Sequence, residues 1–376
     1  MEQPTILICG NYGAGNFGDE LILKGIVKTV RELHPKAIIV TSGNPEKTAA
    51  THGIRAIHFF PSTILSLLKS FLTLRIFRSL YYLYTSDIVL FGGGCLFNEK
   101  EPASINIWYS QFQWFRIFRK KVIILGQSFG KFSDRNTIRK IKEVIRYAKK
   151  IFVRDEFSKK MLSSFTTPDI EVLLDPALWL QGRDLLHSVQ DLVRTNKTYI
   201  LLIIREWAMV DKDVIEEQIA ILAKHCLEKY QLPSRILILQ EGASGDERIS
   251  NELYRKIEPY CDALPQKWST IDDMVHIYDK ASLIVSMRLH GGILGLILGK
   301  PTLFLDYDDK VGNLLADLGL ENLLINPKAD KYELKADELL DSASRGPKNV
   351  LYEAIHETQS QEICKYYLTK IINPLK

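Results

Sequence analysis

The chain has 376 residues, is 46% hydrophobic and 25% charged, and carries a formal net charge of +4 at pH 7. That length exceeds what one core usually serves and predicts two domains; so small a charge excess leaves no global nucleic-acid footprint. The five cysteines, Cys9, Cys95, Cys226, Cys261 and Cys364, are scattered and lack CxxC spacing. This argues against a disulfide framework or zinc site and for a reducing, cytoplasmic setting. Met1-Glu2-Gln3-Pro4 shows no basic leader of a secretory signal.

In chain order, β-branched runs at Ile6–Ile8, Ala37–Val40, Ile88–Leu90, Val122–Leu125 and Ile151–Val153 predict strands. Helix-like stretches near 19–33, 62–84, 104–118, 135–149 and 156–164 lie between them. A polar stretch, Gly182 to Lys197, precedes a second series with strands at Tyr199–Ile204, Ile236–Leu239, Leu283–Val285 and Thr302–Leu305 and helices near 213–230, 246–258, 270–280 and 309–318. This alternation predicts two doubly wound, Rossmann-like α/β domains, 1–185 and 195–345, facing a cleft. A helical pattern over 346–376 is expected to pack back across one of them.

Ligands of such sheets bind at the carboxyl ends of strands, so the residues there are the candidates. Gly10-Asn11-Tyr12-Gly13-Ala14-Gly15-Asn16-Phe17-Gly18-Asp19-Glu20 follows the first strand. Its glycines let backbone approach a ligand, but Asp19 and Glu20 would repel a pyrophosphate, so a sugar hydroxyl suits the loop better; the plainer alternative is that Asp19 caps a helix. Gly92-Gly93-Gly94 after the Ile88 strand can form an anion nest, with Asn98 and Glu99 just beyond. Gln127 and Ser128 follow the Val122 strand. Arg154 ends the Ile151 strand and is suited to a carboxylate or phosphate, unless it pairs with a neighbouring acid. Asp175-Pro176, Arg205-Glu206-Trp207 and Glu241 to Asp246 end further strands. Ser286-Met287-Arg288-Leu289-His290-Gly291-Gly292 puts an arginine and a histidine where a buried strand passes into a helix N-terminus, a place that attracts anions. Lys310 opens a helix after Tyr307-Asp308. No metal-ligand spacing is present.

Ile64 to Tyr84, with Lys69, Arg75 and Arg78 spread along it, is too charged for a spanning helix. It and the aromatic-basic run Trp108 to Lys121 fit a bilayer interface, or else ordinary sheet-covering helices.

The ordered set Gly13-x-Gly15-Asn16-x-Gly18-Asp19-Glu20, Gly92-Gly93-Gly94, Gly126-Gln127-Ser128, Arg154-Asp155, Asp175-Pro176, Ser286-Met287-Arg288-Leu289-His290 and Tyr307-Asp308-x-Lys310-Val311 resembles the polysaccharide pyruvyl transferase family over residues 5 to 325. Bacterial members that pyruvylate a cell-wall polymer precursor are the most similar. The resemblance implies a GT-B-like fold and ketal formation from phosphoenolpyruvate as co-substrate, with no other cofactor. It implies His290 as general acid and Arg154, Arg288 and Lys310 as donor-anion ligands on a mainly C-terminal donor side. It implies an N-terminal acceptor side for the saccharide that includes Asn16, Asp19 and Glu20; Gly93, Gly94, Asn98, Gln127 and Ser128, from their strand-end positions, are the further acceptor or cleft candidates. A lipid-linked acceptor, reached by peripheral contact with the inner face of the cytoplasmic membrane, is the expected setting. Gly291-Gly292, where any small or apolar pair is expected, and Phe129-Gly130-Lys131, where a proline often follows the glycine, depart from the family pattern. The competing expectation is a GT-B glycosyltransferase using a nucleotide-sugar.

Overall fold

The structure, a computed structural model, describes residues 3–99, 102–165, 169–186, 199–206, 211–240, 245–344 and 360–372. It divides into two compact units: Met1–Ala14, Ile22–Trp179 and Gln359–Lys376 form the first, Gly15–Leu21 and Leu180–Thr358 the second.

The first unit contains β1 (Thr5–Cys9), α1 (Phe17–Arg31, whose opening turn counts with the second unit), β2 (Ala37–Ser42), α2 (Pro45–His52), β3 (Arg55–His58), α3 (Ile64–Leu72), α4 (Arg75–Thr85), β4 (Ile88–Gly94), α5 (Pro102–Ile117), β5 (Lys121–Gln127), α6 (Arg135–Tyr147), β6 (Lys150–Val153), α7 (Glu156–Ser163) and β7 (Ile170–Val172). Its strands form one parallel sheet in the order β3-β2-β1-β4-β5-β6-β7. The central strands are unbroken apolar runs because both faces are covered: Ile6 to Cys9, Ile88 to Phe91 and Val122 to Leu125 are all buried.

The second unit contains α8 (Gly182–Leu186), β8 (Tyr199–Ile203), α9 (Lys212–Tyr230), β9 (Ser234–Ile238), α10 (Glu247–Ile257), β10 (Gln266–Lys267), α11 (Ile271–Lys280), β11 (Ala281–Ser286), α12 (Leu289–Ile297), β12 (Thr302–Leu305), α13 (Asp309–Asp317), β13 (Leu324–Ile325) and α14 (Tyr332–Ser344). Its sheet is also parallel, in the order β10-β9-β8-β11-β12-β13. The last helix, α15 (Ser360–Ile372), belongs to the first unit, where Cys364 and Leu368 are fully buried and the Tyr367 hydroxyl donates to Glu171 Oε1 at 2.8 Å. Burial pushes the thiols of Cys9, Cys226 and Cys364 up to about 12, so these cysteines behave as small inert hydrophobes.

Three local expectations change. The single helix expected near 62–84 is two. The Thr73 hydroxyl donates to the Lys69 carbonyl at 2.8 Å, and Leu74 turns left-handed at φ 59°, so the chain reverses between α3 and α4. The triple glycine does not follow its strand but completes β4, and β5 likewise runs through Gly126 to Gln127. Adjacent strands leave no room there for side chains: a Cβ on Gly92 would lie 2.3 Å from the Leu125 carbonyl oxygen. Finally, α2, β3, β10, β13 and α14 are not anticipated by the sequence, nor is α8 at the start of the expected polar stretch. The polar stretch from 187 to 197, Trp207, the loop 241–244 and the segment 346–359 lie outside the described residues.

Candidate active site

In the second unit the strand order reverses between β8 and β11, the place where open parallel sheets offer a crevice at their carboxyl ends. There β8 passes into Ile204-Arg205, and β11 into Met287-Arg288-Leu289-His290. Arg288 occupies the N-cap position of α12 and His290 its first turn. The helix approaches the sheet closely because it opens on glycines. A Cβ on Gly291 would lie 2.7 Å from Ser286 Oγ, and one on Gly292 only 2.1 Å from the Phe304 ring. This is the physical reason for the Gly291-Gly292 pair at the helix start. The Tyr278 hydroxyl secures the same turn by donating to the Gly291 carbonyl at 2.9 Å.

Arg288 is itself held. Its Nε donates to Asp246 Oδ2 at 2.8 Å and its Nη2 to Asp246 Oδ1, a two-point pair with a carboxylate that is 1% exposed. One strand further along the edge, after β12, Tyr307 has two cations against its ring. Arg205 Cζ is 5.4 Å and Lys310 Nζ 5.3 Å from its ring centroid. Lys310 is the second residue of α13, whose N-cap Asp308 accepts from the Lys310 amide at 3.2 Å. Arg205, Arg288 and Lys310 thus stand at the ends of the three neighbouring strands β8, β11 and β12.

The loop Gly15–Leu21, expected with the N-terminal domain, clusters with this edge instead. The Phe17 amide donates to the Leu239 carbonyl at 3.1 Å, Asn16 bridges Gln240, and the Phe17 ring meets Trp268 edge-on at 5.6 Å. Asn16, rather than Asp19, caps α1: its Oδ1 accepts from the Gly18 amide at 3.2 Å while its Nδ2 donates to Asp19 Oδ2 at 2.9 Å. Gly18 lies directly against His290, and a Cβ there would come 2.5 Å from the imidazole Nδ1. Asn16, Asp19 and Glu20 are therefore in one local structure with His290. Asp19 and Glu20 are 7% and 5% exposed, which is low for carboxylates and makes this acidic turn part of the site's wall.

The first unit carries a separate group. Arg154, after β6, donates from Nε to Ser128 Oγ at 2.5 Å and from Nη1 to Asp175 Oδ2 at 2.6 Å. Ser128 in turn donates to Asp155 Oδ2 at 2.7 Å, and Asp155 caps α7 through the Ser158 amide. Burial alone would lower the Arg154 pKa; Asp175 beside it outweighs this and holds it above its ordinary value. Gln127 is fully buried, and neither carboxamide atom has a hydrogen-bond partner among the described residues. Gly93 is filled over: its Cβ position is 2.5 Å from the Tyr12 hydroxyl, which donates to the Gly92 carbonyl at 3.0 Å. Gly94 accepts from the Ser128 amide at 2.9 Å, and Asn98 is half-buried just beyond. Glu99 binds the next turn, accepting from the Ser133 and Asp134 amides and the Ser133 hydroxyl. Its slight burial would raise the carboxyl, but these donors outweigh it and hold Glu99 below its usual range, which makes it a weak base. Among the described residues, no cluster of three His, Cys, Asp or Glu side chains stands ready for a metal.

The sequence profile described as Polysaccharide pyruvyl transferase matches residues 16–309, a span that reaches from the Asn16 cap to the start of α13. The chain belongs to that family. The family is one of transferases that act on polysaccharide. No curated protein matches the sequence. Among solved structures, a glycosyltransferase from Rickettsia africae ESF-5 is similar at a TM-score of 0.60 and 16% identity, covering 100% of this chain and 99% of that one. UDP-GlcNAc 2-epimerases from Methanocaldococcus jannaschii and Neisseria meningitidis are similar at TM-scores of 0.64 and 0.62, with 14% and 13% identity, each over 97% of this chain and 99% of theirs. At such identities these likenesses establish the fold, which is GT-B-like with two parallel α/β sheets.

Within this pyruvyl transferase, His290, Arg288, Lys310, Asn16, Asp19 and Glu20 fall on the second unit, and Arg154, Gln127, Ser128, Gly93, Gly94 and Asn98 on the first. In the sequence Arg205 reads only as a strand end; its place after β8, at the order reversal and matching that of Arg288, is the signal that marks it. The Gly18 contact yields a direct test. Alanine normally improves a helical position by about 0.5–1 kcal/mol over glycine, but here its methyl must displace the His290 ring. Gly18→Ala is expected to keep its melting temperature while turnover falls about tenfold or more, since a 1 Å misplacement of a reacting group costs up to about a hundredfold. Unchanged turnover would remove His290 from the chemistry.

Proposed function

We propose that the enzyme transfers the three-carbon unit of phosphoenolpyruvate onto two hydroxyls of one sugar, forming a cyclic pyruvate ketal and releasing phosphate. One observation carries this reading: an imidazole and three cations, Arg205, Arg288 and Lys310, stand along the ends of three adjacent strands of one sheet. A donor bearing both a carboxylate and a phosphate needs several cations, and guanidinium suits the planar carboxylate. Arg154, on the first unit, is proposed as a further donor-anion ligand. Its partner Ser128, with Gln127, Gly93, Gly94 and Asn98, is proposed for the acceptor side.

In this mechanism His290 gives its proton to the methylene carbon, which becomes a methyl group. The adjacent carbon takes on oxocarbenium character and is attacked by an acceptor hydroxyl. The carbon–oxygen bond to phosphate breaks, phosphate leaves with its electron pair, and a second hydroxyl closes the ketal. Of the two hydroxyl protons, one restores the imidazolium and the other goes with phosphate. Asp19 and Glu20, in the turn that touches His290, are the proposed bases that take each acceptor proton and pass it on to the imidazole or to phosphate. The reaction is assigned to the cytoplasm, at the inner face of the membrane, with a lipid-linked saccharide as acceptor.

Glycosyl transfer from a nucleotide-sugar is the second reading, favoured by the Neisseria epimerase having been solved with UDP-GlcNAc bound. The two separate cleanly in one assay. The first expects acceptor-dependent release of inorganic phosphate from phosphoenolpyruvate and a pyruvyl mass increment on the saccharide. Release of nucleoside diphosphate from a sugar nucleotide, with phosphoenolpyruvate untouched, would favour the second.

A further inference from the structure

In the first unit, α3 has no buried residue at all. Ile64, Leu65, Leu68, Phe71, Leu72 and, at the turn, Leu74 are between 57% and 81% exposed, and Phe77, Tyr81 and Tyr84 extend the apolar surface along α4. So many large apolar side chains on one short hairpin form a patch that ordinary surface leucines do not explain. The hairpin is nonetheless a defined object. Thr63 and Ser66 form a capping box at the start of α3, the Phe71 and Phe77 rings meet at 5.6 Å across the two helices, and α4 is anchored by buried Ile76, Ser79 and Leu83.

Charge decides what covers it. No Asp or Glu occurs between Glu46 and Asp87, while Lys69, Arg75 and Arg78 rise from the apolar surface. Burial first, and then Arg75 and Arg78 close by, hold His58 at the base of α4 below its ordinary value, with Glu46 acting the other way. The positive surface continues. α4, α5 and α6 cover one core, Lys120 at the end of α5 donates to the Tyr84 and Ser86 carbonyls at 2.7 Å, and beside it a groove of about 610 Å³ is lined by Arg116, Arg135, Arg139, Lys142 and Arg146, with Glu143 as its acid. A second copy meeting this patch about a two-fold axis would bring like charges together. An anionic bilayer complements both the apolar tip and the cations. The two helices, of 9 and 11 residues, are too short to span one, and no helix among the described residues is long and apolar enough to do so.

We propose that the α3–α4 hairpin inserts into the interfacial layer of an anionic lipid membrane, with Leu72 and Leu74 leading and Lys69, Arg75 and Arg78 at the headgroups. This goes beyond the reaction proposed above, and its test reads vesicle binding rather than turnover. The full-length protein is floated with phosphatidylglycerol-containing vesicles and with pure phosphatidylcholine vesicles. Binding to the first is expected to exceed binding to the second by about tenfold or more and to fall with salt. A Leu72→Ser/Leu74→Ser protein, altered only at exposed positions, is expected to bind about tenfold or more weakly, because the two leucines no longer leave water on binding; an Arg75→Ser/Arg78→Ser protein is expected to lose the preference for anionic lipid. Leu72→Trp should show a blue-shifted emission on anionic vesicles. Equal binding by the Leu72/Leu74 variant, absence of vesicle binding by folded wild-type protein, or a solution dimer abolished by that same variant would each overturn the proposal.

Discussion

An H290A enzyme is expected to release phosphate from phosphoenolpyruvate at least about a hundredfold more slowly than wild type, the lower end of what a general acid contributes. Donor affinity should largely survive, because Arg288 and Lys310 remain in place. Folding should survive too: His290 is only half-buried, and α12 is held to the sheet by Gly291, Gly292 and the Tyr278 hydrogen bond rather than by the imidazole. A fall in kcat with little change in KM is the pattern of a group that acts in the transition state. Steady-state phosphate release as a function of donor concentration checks both parameters. Wild-type turnover in the alanine enzyme would transfer the proton-donor role elsewhere.

The second large effect concerns Asp246. D246N keeps the side-chain shape but leaves Arg288 beside a neutral partner in a site where the carboxylate is 1% exposed. Breaking a buried pair from one side costs about 3–5 kcal/mol of folding stability, which denaturant unfolding can read. Replacing both partners by apolar residues of similar volume is often neutral in stability. The pair D246L/R288M therefore separates two roles. It is expected to recover most of the stability lost in D246N while staying defective with phosphoenolpyruvate, chiefly through a raised KM, since the donor's carboxylate has lost its guanidinium. Recovery of both stability and KM would make Arg288 a scaffold residue and not a donor ligand.

The parts of the fold legible in the sequence were those buried on both faces. Short β-branched runs such as Ile6–Ile8 and Leu283–Val285, set between helical patterns, mark core strands, and the polar residues ending them lie at the carboxyl edge. The α2 segment was illegible to the same reasoning because it has almost no apolar stripe: its buried residues are Thr48 and His52. Its signals were the ends, with Asn44 capping, Pro45 opening, and Gly53 closing in a left-handed conformation. Gly92 to Gly94 were read as a loop because glycine runs usually are; neighbouring backbone and the Tyr12 ring, contacts remote in sequence, keep them in the strand. The same limit applies at the site. The Arg288–His290 segment announced itself by its residue types at a strand-to-helix junction. Neither the Asp246 partner nor the Gly18 contact could be read, because each joins segments far apart in the chain.

The central claim is that an imidazole on α12 protonates the methylene carbon of phosphoenolpyruvate as the ketal forms. Carrying out the transfer in heavy water and examining the purified saccharide by mass spectrometry and proton NMR tests this directly. Each transferred unit is expected to appear as a methyl group carrying one carbon-bound deuterium, and its rate of appearance to collapse in H290A. A product that retains vinyl protons, or a saccharide modified at the same rate without His290, would contradict it.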